Sequence, residues 1–269
     1  MTTGFVGVGS MGGMLVRALV RSGALNAENT WVANRSEGRL TALAAEVPGI
    51  QIASNRKLAA SCDTIFLCVK ASDAAAVLAQ VDPDLYPGQL LVITASQIPL
   101  RMLEDRVPCR VAKLIPSITQ EIDKGVTLLM YGSRITAADR QLLEGLLGRI
   151  SRPVVISESQ SRPVIGLTSG GPAFMAYLLG SMAEEAARSN PALPPAMALD
   201  LVRETATATL QLMAQAQMSL EDVIRRVAVP GGMTALGIEI LSRHVPQAWE
   251  AVFRESAEKE KRTRETLAV

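Results

Sequence analysis

The sequence predicts two domains of different class: an α/β domain built on a doubly wound parallel sheet over residues 1–160, then an all-α domain over residues 161–269. Three observations predict it. Short apolar runs alternate with amphipathic stretches through the first half, the pattern of βα units that feed a parallel sheet. After about residue 162 the strand pattern stops, and apolar residues recur only at helical spacing. A glycine turn, Gly7-Val8-Gly9-Ser10-Met11-Gly12, joins the first apolar run to the first helical pattern.

The elements follow in order. Residues 4–8 make the first strand, and Met11, Met14, Leu15, Ala18 and Leu19 space a helix that stops at Ser22-Gly23. Thr30–Ala33 is the second strand, and Ser36 is placed to cap a helix running to about Glu46. Further strands are expected near Ile50–Ile52 and at Ile65–Val69, Leu90–Thr94, Val111–Ile115, Gly125–Tyr131 and Val154–Ile156. Helices are expected between them at Asp73–Gln80 and Ala137–Arg149. The second half reads as helices over Pro172–Arg188, Pro195–Gln217, Leu220–Val227, Thr234–Ser242 and Gln247–Thr266. Ser219 with Asp222 three residues on resembles a capping box. The helix Ala196–Gln217 is too rich in Ala, Met and Leu for a lone surface helix, so a subunit interface is expected there. The charge run 257–265 reads as a solvated last turn.

Composition removes several functions. A net charge of +1, from 27 basic and 26 acidic residues, is too balanced for nucleic acid or a membrane surface as obligate partner. Aromatics at 3% are too sparse for stacking platforms. Cys62, Cys68 and Cys109 lack CxxC spacing, and His244 is the single histidine, so neither a disulfide framework nor a zinc site is expected. Residues 4–20 read as strand, turn and helix rather than a leader, and Ala173–Ala183 is too short to span a bilayer. A cytoplasmic protein is the expectation.

The glycine turn carries the first chemistry. Gly7 permits the tight turn, Gly9 lets backbone approach a pyrophosphate, and Gly12 lets the helix pack on the strand. The N–H groups at Ser10, Met11 and Gly12 then meet phosphate at the positive end of the helix. This is the Rossmann arrangement. At the end of the second strand, where NAD sites usually carry an acid, stand Asn34-Arg35-Ser36, with Arg39 a turn later. These favour a 2′-phosphate, so NADP(H) is the expected cofactor and NAD(H) the other candidate. Between Lys124 and Lys259 there is no lysine, which argues against a β-hydroxyacid dehydrogenase with its lysine in the second domain. An iminium substrate needs less: a hydride donor, an anion site and one hydroxyl. Gly170-Gly171-Pro172 and Pro230-Gly231-Gly232-Met233-Thr234 are both glycine-rich helix starts able to bind a carboxylate.

Together with Gly4–Met11, Asn34-Arg35, Asn55 and Val69-Lys70, the segments Thr168–Phe174 and Val229–Thr234 resemble the pyrroline-5-carboxylate reductase family, collinearly over nearly the whole chain. The resemblance implies reduction of a small carboxylated imine, 1-pyrroline-5-carboxylate, to proline. It implies a homodimer through the helical domain, with further assembly in some members. It assigns Gly7, Gly9, Ser10, Met11, Gly12, Asn34, Arg35, Asn55, Val69, Lys70, Ala95 and Ser96 to the cofactor. Ser169, Gly170, Gly171, Gly232 and Ser117 would meet the substrate, the first three holding its carboxylate largely through backbone N–H groups. Thr234 would hydrogen-bond the ring nitrogen as proton donor.

The chain departs from the family pattern at Ser117, where the family has Asn near the nicotinamide, and at Gly170, where it has Ser. Ala71 replaces a proline and Gln97 a glycine. Pro108–Ala112 followed by Ile115-Pro116-Ser117-Ile118-Thr119 resembles the divergent late-competence branch. That resemblance implies an alternative: a dinucleotide-binding sensor or scaffold with weak or no reductase activity.

Overall fold

The structure is a computed structural model and describes residues 1–266. Eight strands form one sheet: β1 (Thr3–Val6), β2 (Thr30–Ala33), β3 (Gln51–Ile52), β4 (Thr64–Leu67), β5 (Leu90–Ile93), β6 (Arg110–Ile115), β7 (Val126–Tyr131) and β8 (Arg152–Val155). Their order is β3-β2-β1-β4-β5-β6-β7-β8. All neighbours are parallel except β6 and β7, which are antiparallel. The exception corrects the expectation of an all-parallel sheet. Only a short 3-10 turn, Ile118–Ile122, then left-handed Asp123 (φ 55°) and Gly125 (φ 86°), connect these two strands. That is too little chain for a crossover helix.

Helices α1 (Ser10–Arg21), α2 (Glu37–Glu46), α3 (Asn55–Ser61), α4 (Ala71–Val81), α5 (Leu100–Arg106), α6 (Ala137–Leu147) and α7 (Ser161–Thr168) cover both faces. Strand alternation builds two cores. Val6, Ile65, Leu67 and Ile93 face Leu58, Leu78 and Leu103 of α3, α4 and α5. Phe5, Phe66 and Val92 face Leu15, Leu43 and Leu143 of α1, α2 and α6. Phe5 and Phe66, paired across β1 and β4, stack at 4.8 Å. Burial pushes the Cys62 and Cys68 thiols up to about 12 and the Cys109 thiol to about 11, so all three stay protonated at neutral pH.

The chain divides into two compact units, Met1–Pro172 together with the chain from Ser256, and Ala173–Glu255. The sequence boundary at 160/161 falls ahead of α7, whereas the first unit retains that helix, with Ile165 in the sheet core. Helical spacing alone does not say whether a helix packs on a sheet or on other helices. The charge run is also more than a solvated turn. Glu260 is buried, with its carboxylate 2.8 Å from Arg264 Nη2 and 3.7 Å from Arg162 Nε of α7.

The second unit holds α8 (Gly171–Ser189, opening at the end of the first unit), α9 (Pro195–Ala216), α10 (Leu220–Val227) and most of α11 (Met233–Thr266). The Ser219–Asp222 capping box is present and starts α10. The helices expected at Thr234–Ser242 and Gln247–Thr266 are one continuous helix with Pro246 inside. An interior proline costs about 3 kcal/mol. Just beyond it, Trp249 packs edge-on against Phe174 at 5.7 Å and lies 6.2 Å from Phe253. The stretch Glu158–Ser189 is long and apolar enough to cross a membrane by length and composition, although the Ser169–Gly171 turn separates α7 from α8 within it.

Candidate dinucleotide and substrate site

Four of the strand ends that flank β1 and β4 converge. β1 stands between β2 and β4, and the registers Val6↔Ala33, Val6↔Leu67 and Leu67↔Ile93 align their carboxyl ends. Gly7, Asn34, Val69, Lys70, Ala95 and Ser96 follow those ends directly, and Asn55 opens α3 after β3. The crevice where strand order reverses is where open α/β sheets bind ligands.

The glycine turn is built as its spacing demands. Gly7 has φ 92° and accepts no side chain, because a Cβ would stand 2.6 Å from the Cys68 carbonyl oxygen. A Cβ on Gly12 would overlap the Gly7 carbonyl oxygen and stand 2.9 Å from Cys68 Cβ, so only glycine lets α1 meet the turn. Gly9 faces open space, with Arg39 Nη1 its single close neighbour at 3.4 Å. Gly9 is the N-cap of α1, and the first turn has neither a side-chain cap nor an acidic residue. Its free N–H groups therefore point at a space bordered by a guanidinium. That cradle fits a pyrophosphate.

Asn34 does local work. Its Oδ1 accepts from Val8 N–H at 3.2 Å and its Nδ2 donates to the Ser36 carbonyl at 3.2 Å, which ties the end of β2 to the glycine turn. Ser36 occupies the N-cap of α2, but its hydroxyl makes no capping bond, contrary to expectation. Arg35 and Arg39 are exposed on this side. Asn55 Nδ2 donates to Gln80 Oε1 at 2.7 Å, so this amide is engaged within the protein.

On the substrate side two expectations change. Ser169 and Gly170 both direct their N–H groups to the Ile165 carbonyl, closing the C-terminus of α7. These amides are spent on the helix end. The Ser169 hydroxyl and the N–H of Gly171, where α8 begins, lie at the same turn. Ser117 is buried at the end of β6. Its hydroxyl donates to the Thr168 carbonyl at 3.4 Å and accepts from Thr119 Oγ1 at 3.1 Å, joining the end of β6 to the end of α7. Gly232 and exposed Thr234 stand at the start of α11 in the helical unit, after left-handed Gly231 (φ 76°).

Sequence reasoning missed Lys113 and Glu158. Lys113 is fully buried in β6, and its ammonium lies 2.5 Å from Glu158 Oε1. The signal was a lysine inside the apolar run Val111-Ala112-Lys113-Leu114-Ile115. Burial lowers its pKa, with Glu158 opposing the shift.

Sheet order, glycine turn and uncapped helix define a class: nicotinamide-dinucleotide oxidoreductases on a Rossmann-type sheet. Residues 2–97 match the family described as NADP oxidoreductase, coenzyme F420-dependent, and residues 158–263 match pyrroline-5-carboxylate reductase dimerisation. The chain belongs to the pyrroline-5-carboxylate reductase family. It is 30% identical to ComE operon protein 4 of Bacillus subtilis (strain 168), over 94% of this chain and 93% of that protein. It is 29% identical to pyrroline-5-carboxylate reductase 3 of the same organism, over 95% and 94%. In fold it is similar to the Plasmodium falciparum pyrroline carboxylate reductase crystallised with NADP bound, at a TM-score of 0.82 with 18% identity over 100% and 98% of the chains. The Streptococcus pyogenes 1-pyrroline-5-carboxylate reductase gives 0.84 with 22% identity over 97% and 98%.

Proposed function

We propose that this protein is an NADPH-linked imine reductase that converts 1-pyrroline-5-carboxylate, or a close cyclic relative, to proline or its analogue. The observation that carries it is the uncapped first turn of α1 behind Gly7-Val8-Gly9, with Arg39 beside Gly9. The N–H groups of Ser10, Met11 and Gly12 hold the pyrophosphate, and Arg35 and Arg39 neutralise the 2′-phosphate. When bound, NADPH supplies the hydride that the C=N carbon receives. The Ser169 hydroxyl and Gly171 N–H take the carboxylate. The Thr234 hydroxyl donates its proton to the ring nitrogen, so that hydride and proton together saturate the double bond. Thr234→Ala is expected to lower kcat by about 10²-fold or more while leaving the NADPH Kd within twofold. Equal losses in both would remove the proton-donor role.

The protein works as a homodimer through its helical unit, whose exposed apolar faces support that reading. Three protonated thiols without a disulfide suit the cytoplasm.

A second reading draws on Ser117 and Gly170. With Ser117 buried against α7 and the Gly170 N–H spent on Ile165, the turn offers the carboxylate few donors. A dinucleotide-binding sensor with little turnover has these features. One experiment separates the two: NADPH oxidation with 1-pyrroline-5-carboxylate, beside a fluorescence titration of NADPH on Trp31 and Trp249. Turnover of about 1–10³ per second establishes the reductase. Binding with no oxidation establishes the sensor.

A further inference from the structure

α7 runs into the Ser169–Gly171 turn, and the β5–α5 connection carries Ala95 and Ser96. One ion pair, its lysine buried and its glutamate half-buried, touches both segments. Lys113 pairs in register with Ile93, the last residue of β5, and is 1% exposed. Its ammonium donates to Glu158 Oε1 at 2.5 Å and to the Ser96 carbonyl at 3.1 Å. The same Glu158 oxygen accepts from the N–H of Leu100, the first residue of α5, at 3.1 Å. Glu158 opens the 3-10 turn Glu158–Gln160 that leads directly into α7, and its carbonyl accepts from the Ser161 hydroxyl at 2.7 Å. Behind it, Arg162 of α7 faces Glu260.

An ammonium inside a sheet core is a poor device for stability, since an apolar side chain of similar volume does as well or better there. Its use is geometric. An ammonium directs several donors from one point, and a carboxylate oxygen accepts more than one bond, so a single pair fixes two loops and a helix head.

We propose that Lys113 and Glu158 are positioning residues that hold the Ser96 carbonyl and the head of α7 in one arrangement, so that the cofactor loop and the substrate turn keep a common register. The proposal rests on the reductase reading for the names of the two ligands, while the strut itself can be read without either ligand.

The test is the double variant Lys113→Met/Glu158→Gln, which removes both charges and leaves none buried alone, beside Lys113→Arg, which keeps the charge in another donor geometry. Amide hydrogen exchange is followed in the full chain at 95–100, 161–171 and, as control, 10–13. In the double variant both strut segments are expected to exchange roughly tenfold faster while the α1 turn is unchanged. Lys113→Arg should show the same paired loosening at smaller amplitude, and it serves alone if the double variant does not fold. With a turnover-competent wild type, KM for the imine and the NADPH Kd should rise together by about tenfold and kcat by less than threefold in either direction. Unchanged exchange in either segment, or loosening of one without the other, overturns the strut. A wild type that neither binds NADPH nor turns over overturns the reductase reading instead, and the exchange data still decide the strut.

Discussion

The sheet unit and the helical unit handle apolar surface in opposite ways. The first encloses it: Phe5, Leu15, Leu58, Phe66 and Val92 are all fully buried. In the second, Ala183 and Ala198 are the buried hydrophobic residues among those described, while Tyr177, Met182 and Leu210 are 75%, 65% and 66% exposed. A sheet with helices on both faces completes its own core. Helices with apolar stripes on more than one side do not, and the proposed homodimer is what would cover them. Stability of the sheet unit therefore lies within one chain, whereas that of the helical unit would lie between chains in the proposed dimer.

The largest effect should come from breaking the proposed dimer. Leu210→Glu with Leu241→Glu places two charges on apolar positions, each worth about 1.5–3 kcal/mol when covered. Sedimentation should show the dimer lost, or the chain precipitating. An unchanged dimer mass would show that these faces lie outside the interface. Next, Gly12→Val strikes the sheet unit, because its side chain must enter the Gly7 carbonyl and Cys68. It should abolish NADPH binding and cost about 1–3 kcal/mol in thermal unfolding. Gly145→Ala on α6, with nothing near its Cβ, should instead gain up to about 1 kcal/mol. If both glycines behaved alike, the close packing argued for the turn would be wrong.

Smaller and confined to the site, Arg35→Ala should raise the NADPH Kd about tenfold and leave NADH nearly untouched. An unaltered NADPH/NADH ratio places phosphate recognition elsewhere. The smallest effect is at Asp139, the capping carboxylate of α6. Burial pushes its pKa up, but bonds from the Thr136 hydroxyl and N–H, with the Arg110 guanidinium ion-paired at 2.8 Å, outweigh this and hold it below the usual range. A depressed carboxylate gives stability above the unfolded pKa of about 3.9 and loses it as pH falls through the lower folded value. Asp139→Asn should therefore cost about 1 kcal/mol at pH 7, and the gap to wild type should close under acid. A gap independent of pH would mean the charge is idle.

The strands and the glycine turn were legible because local rules decide them. Thr30–Ala33 needs only alternation and flanks, and Gly7 and Gly12 need only the spacing of a strand meeting a helix. What stayed hidden depends on partners far along the chain. Lys113 reads as an oddity in a strand until Glu158 folds against it. Ser117 reads as a substitution beside the chemistry, yet Thr168 turns it into a tie to α7. Ser169 and Gly170 look like free donors from sequence, and only the geometry of the α7 end shows their amides taken. Pro246 looks like a break because the proline rule is local, yet the helix continues through it.

Glu260 gives the chain an order of completion during synthesis. The sheet unit consists of two segments, and everything from Ala173 to Glu255 lies between them in the chain. At about 5–20 residues per second, that interval takes on the order of ten seconds to translate. Until it has passed, Arg162 waits at the surface of α7 without the carboxylate that later faces it. The Arg162–Glu260 contact of the first unit therefore forms last, and only in chains that have already made the helices between its two segments.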